Sequence, residues 1–203
     1  MWSVARLAAV TFALTLGSLA VASAAGPSIT VKPGTFVGTA GDCGPASPPA
    51  TDAVASAWVA GQGLPDAGGS NHALYLQKFG ATSDCSAALA SVSGVSGISL
   101  TELGFDVRDD GHCGAGAPRF DVITMDGVDH FFGCFYGTHT PIARGWTRVR
   151  FALGDAFPPV TATETVQSIE IVFDEGTDVG SGFVYIDNID VNGTIAGQPG
   201  LAQ

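Results

Sequence analysis

VYIDNIDVNG, residues 184–193, is the stretch that decides the fold of this chain. Val184 and Ile186 are apolar on one parity, and Ile189 and Val191 are apolar on the other. Side chains alternate between the two faces of a strand, so this change of phase predicts a β-strand with a bulge near Asp187. The apolar face of such a strand needs a second layer to cover it.

Segments upstream show the same alternation. SIEIVFD, residues 168–174, places Ile169, Ile171 and Phe173 on one face, and ISLTELGFDVR, residues 98–108, changes phase near its middle. Further strands are predicted at residues 72–79, 119–124, 130–136, 146–153 and 183–191, separated by turn sequences rich in Asp, Gly and Pro. Residues 84–92 fit either one helical turn or a small-residue strand. The pattern predicts an all-β fold, an antiparallel two-sheet β-sandwich of the jelly-roll type.

The chain begins with a predicted signal peptide, residues 1–24. Arg6 precedes an apolar run, and Ala22, Ser23 and Ala24 are typical of a cleavage site. The run of about 15 residues is shorter than the about 20 that span a bilayer. The sequence therefore predicts a secreted, extracellular protein with no membrane insertion after cleavage.

The remaining sequence divides by composition into three parts. Residues 25–57 are rich in Gly, Pro, Ala, Thr and Ser, and we expect an extended entry segment there. Residues 58–193 carry the predicted strands and form the β-sandwich domain. Residues 194–203 are predicted to be a flexible tail.

Charge and cysteine content narrow the classes of partner. The chain has 8 basic and 19 acidic residues, a net charge of −11, so no basic stripe is present to bind nucleic acid.

The cysteines of the chain are Cys43, Cys85, Cys113 and Cys134, and an even number in an exported protein predicts two disulfides. Three pairings are possible. A short antiparallel hairpin favours Cys113 with Cys134, which leaves Cys43 with Cys85.

The closing strand resembles the last strand of carbohydrate-binding-module-like and galactose-binding-like β-sandwiches. Three further segments resemble other strands of these modules: GWTRVRFAL (residues 145–153), SIEIVFDEGTDVGSG (168–182) and ISLTELGFDVR (98–108). The resemblance extends over residues 58–193. It implies a jelly roll that binds carbohydrate or a cell-surface glycan. It also implies a structural Ca²⁺ held by Asp187, with Asp66 as a candidate second ligand. The alternative for Asp187 is a cap on backbone N–H groups at the bulge.

Five polar and aromatic residues are candidates for a sugar-binding platform. Trp146, Arg148 and Arg150 share the outward parity of one strand, and Tyr75 and Gln77 point outward if Leu74 and Leu76 point inward. Aromatic rings stack on sugars, and guanidinium groups donate hydrogen bonds to hydroxyls. The alternative is that Arg148 and Arg150 form cross-strand ion pairs with Glu170 and Asp174.

Catalytic signatures are scarce. The sequence has no G-x-S-x-G elbow, no H-E-x-x-H and no P-loop. Glu102, Glu164, Glu170 and Glu175 could supply a carboxylate pair for glycoside hydrolysis, but nothing selects two of them. The sequence thus favours a non-catalytic binding module over a glycan hydrolase. A secreted structural or adhesive protein that binds another protein is the main alternative.

Overall fold

The computed structural model describes residues 28–66, 69–142 and 144–196, so the predicted signal peptide lies outside it. Its strands are β1 (Thr30–Val37), β2 (Ala53–Val59), β3 (Ala73–Phe79), β4 (Ser86–Ser93), β5 (Leu103–Arg108), β6 (Arg119–Thr124), β7 (Asp129–Gly133), β8 (Thr138–Ile142), β9 (Trp146–Phe151), β10 (Val166–Phe173), β11 (Phe183–Val191) and β12 (Thr194–Ile195). Two 3₁₀ turns, Cys134–Tyr136 and Leu153–Asp155, are the only helical elements in these residues. No helix among them is long and apolar enough to cross a membrane.

The strands form two antiparallel sheets. The smaller has the order β1-β4-β10-β6-β7, and the larger has the order β2-β3-β11-β5-β9-β8, with β12 beside β11. Eight strands can be lettered B to I in chain order: β3, β4, β5, β6, β7, β9, β10 and β11. In these letters the larger sheet has the order B-I-D-G and the smaller sheet has the order C-H-E-F. This is the jelly-roll order, so the predicted fold class is confirmed.

The core lies between the sheets and contains residues of both. Phe105 of β5 and Phe151 of β9 meet Phe120 of β6 and Phe132 of β7, with ring centroids 5.4 to 6.0 Å apart. All four side chains are buried. Because one face of every central strand is committed to this core, the side chains of opposite parity form the two outer faces of the sandwich.

The entry segment predicted over residues 25–57 is corrected by the structure, because it supplies two strands. β1 pairs with β4 along its whole length, and β2 pairs with β3. Each lies at the edge of its sheet, where the Pro and Gly of β1 and the alanines of β2 are tolerated. The predicted tail also contributes β12, which pairs with β11, and residues 197–203 lie outside the described part of the chain.

Both disulfides have the favoured connectivity, Cys113–Cys134 and Cys43–Cys85. The first pair ties the middle of the loop between β5 and β6 to the 3₁₀ turn that directly follows β7. The second ties the loop after β1 to the start of β4. The two bridges therefore fix the long connections between the sheets rather than the strands themselves.

Candidate functional site

The outer face of the larger sheet carries most of the residues that the sequence singled out. On β3 and β11 the outward residues alternate with Leu74, Leu76, Val184 and Ile186, which are buried in the core. The residues at the outward positions of the four central strands are Tyr75, Gln77, Phe183, Tyr185, Asp187, Asp190, Gly104, Asp106, Arg108, Trp146, Arg148 and Arg150. We call this surface the outer face.

Three rings form an aromatic cluster at one end of the outer face. The ring centroids of Tyr75 and Tyr185 lie 4.8 Å apart, and that of Phe183 lies 6.3 and 6.1 Å from them. The guanidinium carbon of Arg108 lies 3.7 Å from the centroid of the Tyr185 ring. Tyr75 donates a hydrogen bond of 2.6 Å to Gln77, so both residues lie on the predicted face and are half-buried.

Trp146 has the predicted parity, but it is only 4% exposed, so its ring is not available as a platform. It pairs directly with Arg108 on β5 and with Ile142 on β8. Directly paired residues of neighbouring strands lie side by side on one face, and these two long side chains flank the indole on both sides. The sequence could not reveal this, because β8 was not predicted.

A buried carboxylate organises the polar half of the outer face. Asp106 has no exposed surface and accepts hydrogen bonds from Nε and Nη2 of Arg148, at 2.9 and 3.1 Å. It also accepts one from Nδ2 of Asn188, at 2.8 Å. The Arg148 side chain remains 44% exposed. Asp106 thus holds an accessible guanidinium in a fixed orientation, and the hydrogen bond and charge of Asp106 raise the pKa of Arg148.

The predicted ion-pair partners of these arginines were wrong. Glu170 and Asp174 belong to β10 and the loop after it, in or beside the smaller sheet, where Asp174 accepts a hydrogen bond from Arg119. Arg148 pairs with Asp106, and Arg150 lies 3.7 Å from Asp190 on β11. The alternation of side chains along β9 predicted the outward direction of Arg148 and Arg150 correctly. Which strands lie beside it is decided by the topology.

Asp187 lies at the bulge between β11 and β5, where its carboxylate caps backbone N–H groups. Its oxygens accept hydrogen bonds from the N–H of Leu64 and of Asn188, at 2.6 and 2.7 Å. Asp66 is used in the same way by the N–H groups of Ser70 and His72. The backbone N–H groups thus occupy the same carboxylate oxygens of Asp187 and Asp66 that would have to coordinate Ca²⁺. These hydrogen bonds fit the capping role better than a metal site.

No group of three or more His, Cys, Asp or Glu within the described ranges is placed to hold a metal ion. Calcium at Asp187 and Asp66 therefore stays a prediction from the family resemblance.

One buried carboxyl, that of Asp187, and one half-buried carboxyl, that of Asp121, are expected to make stability depend on pH. Burial raises the pKa of Asp187 and of Asp121 to about 6, although the ion pair with Arg119 opposes the shift at Asp121. Between pH 4 and 6 the folded protein keeps protons that the unfolded chain has released, so stability falls as pH rises. Each shift corresponds to roughly 3 kcal/mol, present below about pH 4 and lost above about pH 6.

We expect a higher melting temperature at pH 5 than at pH 7.5, measured by circular dichroism. Asp121→Asn should flatten this dependence because its side chain cannot ionise. Asp126→Asn is the matched control, since a hydrogen bond from Thr124 lowers the pKa of that exposed carboxyl below this window. Equal slopes for the parent and Asp121→Asn would contradict the assignment.

A second aromatic surface lies at the edge strand β7 and was not predicted. Phe131, Phe135, Tyr136 and Phe157 are exposed there, and Phe157 reaches 80%. Some of these rings border a groove of about 430 Å³, which Asp155 also lines. The signal was present in the sequence, because the run HFFGCFYG, residues 130–137, has too many aromatic residues for one buried face. We call this surface the aromatic edge.

The four glutamates considered for hydrolysis lie in different surroundings. Oε2 of Glu175 lies at hydrogen-bond distance, 2.6 Å, from Nε2 of His112. Glu164 accepts a hydrogen bond from the backbone N–H of Thr161. Glu170 lines a cleft on the smaller sheet, whereas Glu102 lies beside Gly193. The structure thus gives each glutamate a separate local environment.

Comparisons with known proteins find similarity only in three dimensions. No family model and no curated protein matches the sequence. The family 11 carbohydrate-binding module of cellulosomal cellulase Lic26A-Cel5E of Clostridium thermocellum is 14% identical, with a TM-score of 0.47, over 84% of this chain and 91% of its own.

A family 11 carbohydrate-binding module from Clostridium thermocellum, in complex with a β-1,3-1,4-mixed-linked tetrasaccharide, is 14% identical to this chain. Its TM-score is 0.48, and the match covers 81% of this chain and 91% of that module. A β-1,2-glucanase from Parabacteroides distasonis is 14% identical, with a TM-score of 0.44. The match covers 80% of this chain and 22% of the glucanase. These structures include carbohydrate-binding modules, the class of β-sandwich that the closing strand resembles.

Proposed function

We propose that this protein is a secreted, non-catalytic module that binds carbohydrate or a cell-surface glycan through its outer face. The observation that carries the proposal is the aromatic cluster beside oriented arginines on one sheet face. Tyr75, Phe183 and Tyr185 present apolar ring surface, and Arg148 presents N–H donors held by Asp106. Binding sites for small ligands combine apolar surface with a few fixed polar groups in this way.

The dimensions and rigidity of the outer face suit an extended ligand. The residues lie on four neighbouring strands, β3, β11, β5 and β9, which cover about 14 Å at about 4.8 Å per strand. That is long enough for a short oligosaccharide. The side chains are fixed in advance by mutual contacts, such as Arg108 on Tyr185, and a site that is already ordered loses less conformational entropy on binding.

The test is retention on insoluble polysaccharides, such as cellulose, xylan, chitin and β-glucan, followed by titration with a soluble oligosaccharide of the retained type. We expect Tyr185→Ala to weaken binding by about tenfold or more, because truncation of a central aromatic contact costs about 2 kcal/mol. Phe157→Ala is the matched control, since it removes an exposed ring on the aromatic edge.

The two variants identify the binding surface. Loss of retention in Tyr185→Ala alone supports the outer face. Loss in Phe157→Ala alone moves the site to the aromatic edge and contradicts the proposal as stated. A parent protein that is retained on none of the polysaccharides contradicts carbohydrate binding itself.

A further inference from the structure

The groove at the aromatic edge is open to solvent and is lined by three aromatic residues. It has a volume of about 430 Å³, and Phe131, Tyr136 and Phe157 border it. Phe131 and Phe157 are paired in an isolated antiparallel bridge, with both N–H···O hydrogen bonds at 3.0 Å, so their side chains lie on the same side of the sheet. The exposed fraction is 60% for Tyr136 and 80% for Phe157. A ligand can therefore reach these rings without a change in the fold.

Two small residues, Gly133 and Ala115, also line the groove and keep it open. Gly133 follows Phe131 by two positions on β7, so it shares the outward side of that strand but has no side chain to fill the space. A side chain there would collide with the carbonyl oxygen of Ala115. The disulfide Cys113–Cys134 joins the two segments that carry these small residues. The groove is thus formed before a ligand binds, which reduces the conformational entropy lost on binding.

Asp155 places a negative charge at the groove. Its Oδ2 accepts a hydrogen bond of 2.8 Å from the N–H of Ala152, which holds the carboxylate at the 3₁₀ turn Leu153–Asp155. The hydroxyl of Tyr136 is the other polar side-chain group among the described lining residues, none of which is basic or carries an amide side chain. The groove thus offers aromatic surface and one fixed negative charge, with few hydrogen-bonding groups.

We propose that the groove binds a small, soluble quaternary ammonium compound, a function separate from the proposed carbohydrate binding. The faces of aromatic rings attract cations through the ring quadrupole, and Asp155 adds a charge attraction. A quaternary ammonium group has no N–H donors, so it needs no hydrogen-bond acceptors. A primary ammonium group has three donors, which three carbonyl oxygens satisfy at the buried Lys78 of this protein. The net charge of −11 also favours a cationic ligand.

A neutral sugar and a second copy of the chain fit the groove less well. A sugar needs several donors and acceptors, which the outer face supplies through residues such as Arg148 and which the side chains of the groove lack. A second copy would bring another Asp155 and a further net charge of −11 to the contact, and like charges repel each other there.

The charges around the groove also distinguish a soluble quaternary ammonium compound from a phospholipid headgroup. The headgroup brings a phosphate, and none of the described lining residues is basic. The guanidinium carbon of Arg119 lies 5.7 Å from the centroid of the Phe131 ring. Its charge is already matched by Asp121 and Asp174, at 2.6 and 2.7 Å. A phosphate would thus be repelled by Asp155, and the surroundings favour the soluble compound.

The test is a titration of the parent protein with choline chloride, followed by NMR of the N-methyl protons of choline. We expect saturable binding with a Kd of about 1 mM or lower, since the ligand is small and the groove is open. The neutral isostere, in which a tert-butyl group replaces the trimethylammonium group, has the same shape and should bind at least about tenfold more weakly. Ethanolamine should also bind more weakly, because its N–H donors lose water without gaining acceptors.

Two substitutions at Phe157 separate attraction to the ring from apolar contact. Phe157→Leu keeps an apolar side chain and removes the ring, so choline should bind about fivefold more weakly, whereas Phe157→Tyr keeps the ring and should stay within about twofold of the parent. Both variants should fold, because this side chain is exposed. The matched control is Phe36→Leu, an exposed ring on the edge strand β1 that does not line the groove, and it should leave Kd within about twofold.

Asp155→Asn tests the contribution of the charge. Asparagine keeps an acceptor for the N–H of Ala152 but is neutral, so choline should bind about fivefold more weakly. Asp42→Asn is the matched control, since Asp42 is exposed and does not line the groove. Like Asp155, it accepts a hydrogen bond from the N–H three residues earlier, that of Thr39. We expect this control to keep Kd within about twofold.

Failure of the cation site can be told apart from failure of the proposed carbohydrate binding, because retention on polysaccharides is measured on the same parent. Choline that does not bind the parent, or binds no more tightly than its neutral isostere, overturns the cation site alone. Loss of choline binding in Tyr185→Ala, with Phe157→Leu unaffected, moves the site to the outer face and overturns the proposal as well. Binding to phosphatidylcholine vesicles without binding of free choline overturns the choice of a soluble ligand.

Discussion

Replacement of Lys78 by methionine is expected to lower the free energy of unfolding by about 3 kcal/mol, because three carbonyl oxygens lose a hydrogen-bond donor and relief of the buried charge offsets only part of that loss. Lys78 has no exposed surface. Its ammonium group donates hydrogen bonds to the carbonyl oxygens of Thr82, Asp84 and Ser86, at 3.2, 2.7 and 3.0 Å. A buried ammonium is tolerated only when its donors are satisfied, and here three carbonyls satisfy them.

Methionine keeps the length of the side chain but leaves these carbonyls without their donor. Relief of the buried charge offsets part of the loss, yet the carbonyls cannot turn to other donors. Their loop is held by the Cys43–Cys85 disulfide and by hydrogen bonds from Thr82 to Asp178 and from Thr51 to Asp84. Three unmade bonds at about 1–3 kcal/mol each therefore outweigh the gain.

The matched control is Lys32→Met, because Lys32 is the other lysine of the chain and is exposed on the edge strand β1. We expect it to change stability by less than about 0.5 kcal/mol. Urea unfolding of both variants gives the comparison, and an amine-reactive reagent should label Lys32 but not Lys78 in the native parent. Equal urea midpoints for the two variants would contradict the internal role of Lys78.

The parts of the fold that the sequence predicts are those with strong alternation. The strands at residues 119–124 and 183–191 were predicted at their observed bounds, because core and polar residues alternate along the whole of the first strand and on both sides of the bulge in the second. β1, β2 and β8 were missed because their residues are mostly small, polar or exposed, and their strand structure depends on neighbours distant in sequence. Local pattern thus finds strands that bury a face, including the edge strand β7, and misses edge strands whose residues are mostly small, polar or exposed.

The candidate site shows the same limit. Parity placed Tyr75, Gln77, Arg148 and Arg150 on one face, and the structure brings them to the same sheet. Exposure and pairing depend on adjacent strands, so the burial of Trp146 and the partner of Arg148 could not be read from sequence. Lys78 could have been found, since it shares the inward parity of Leu74 and Leu76, where a charged residue needs an internal partner.

Asp106→Asn is expected to cost about 2–3 kcal/mol of stability and to weaken glycan binding as well. Three N–H donors converge on this carboxylate, two from Arg148 and one from Asn188. Asparagine offers one acceptor oxygen, so at least one donor would face its NH₂ group in a site without solvent. Hydrogen bonds to charged groups contribute about 1.5–3 kcal/mol, and the loss of one or two accounts for the expected effect.

Binding weakens because Asp106 is a positioning residue for Arg148, whose exposed guanidinium loses its fixed orientation. Asp109→Asn is the control, since that exposed carboxylate accepts a hydrogen bond from Thr147 and should matter little. Urea unfolding and Kd for a bound oligosaccharide are measured on Asp106→Asn, Arg148→Gln and the double variant. We expect the two binding losses to be clearly less than additive, because both changes remove one arrangement. Additive losses would mean that Asp106 acts on the fold alone and does not orient Arg148 for a ligand.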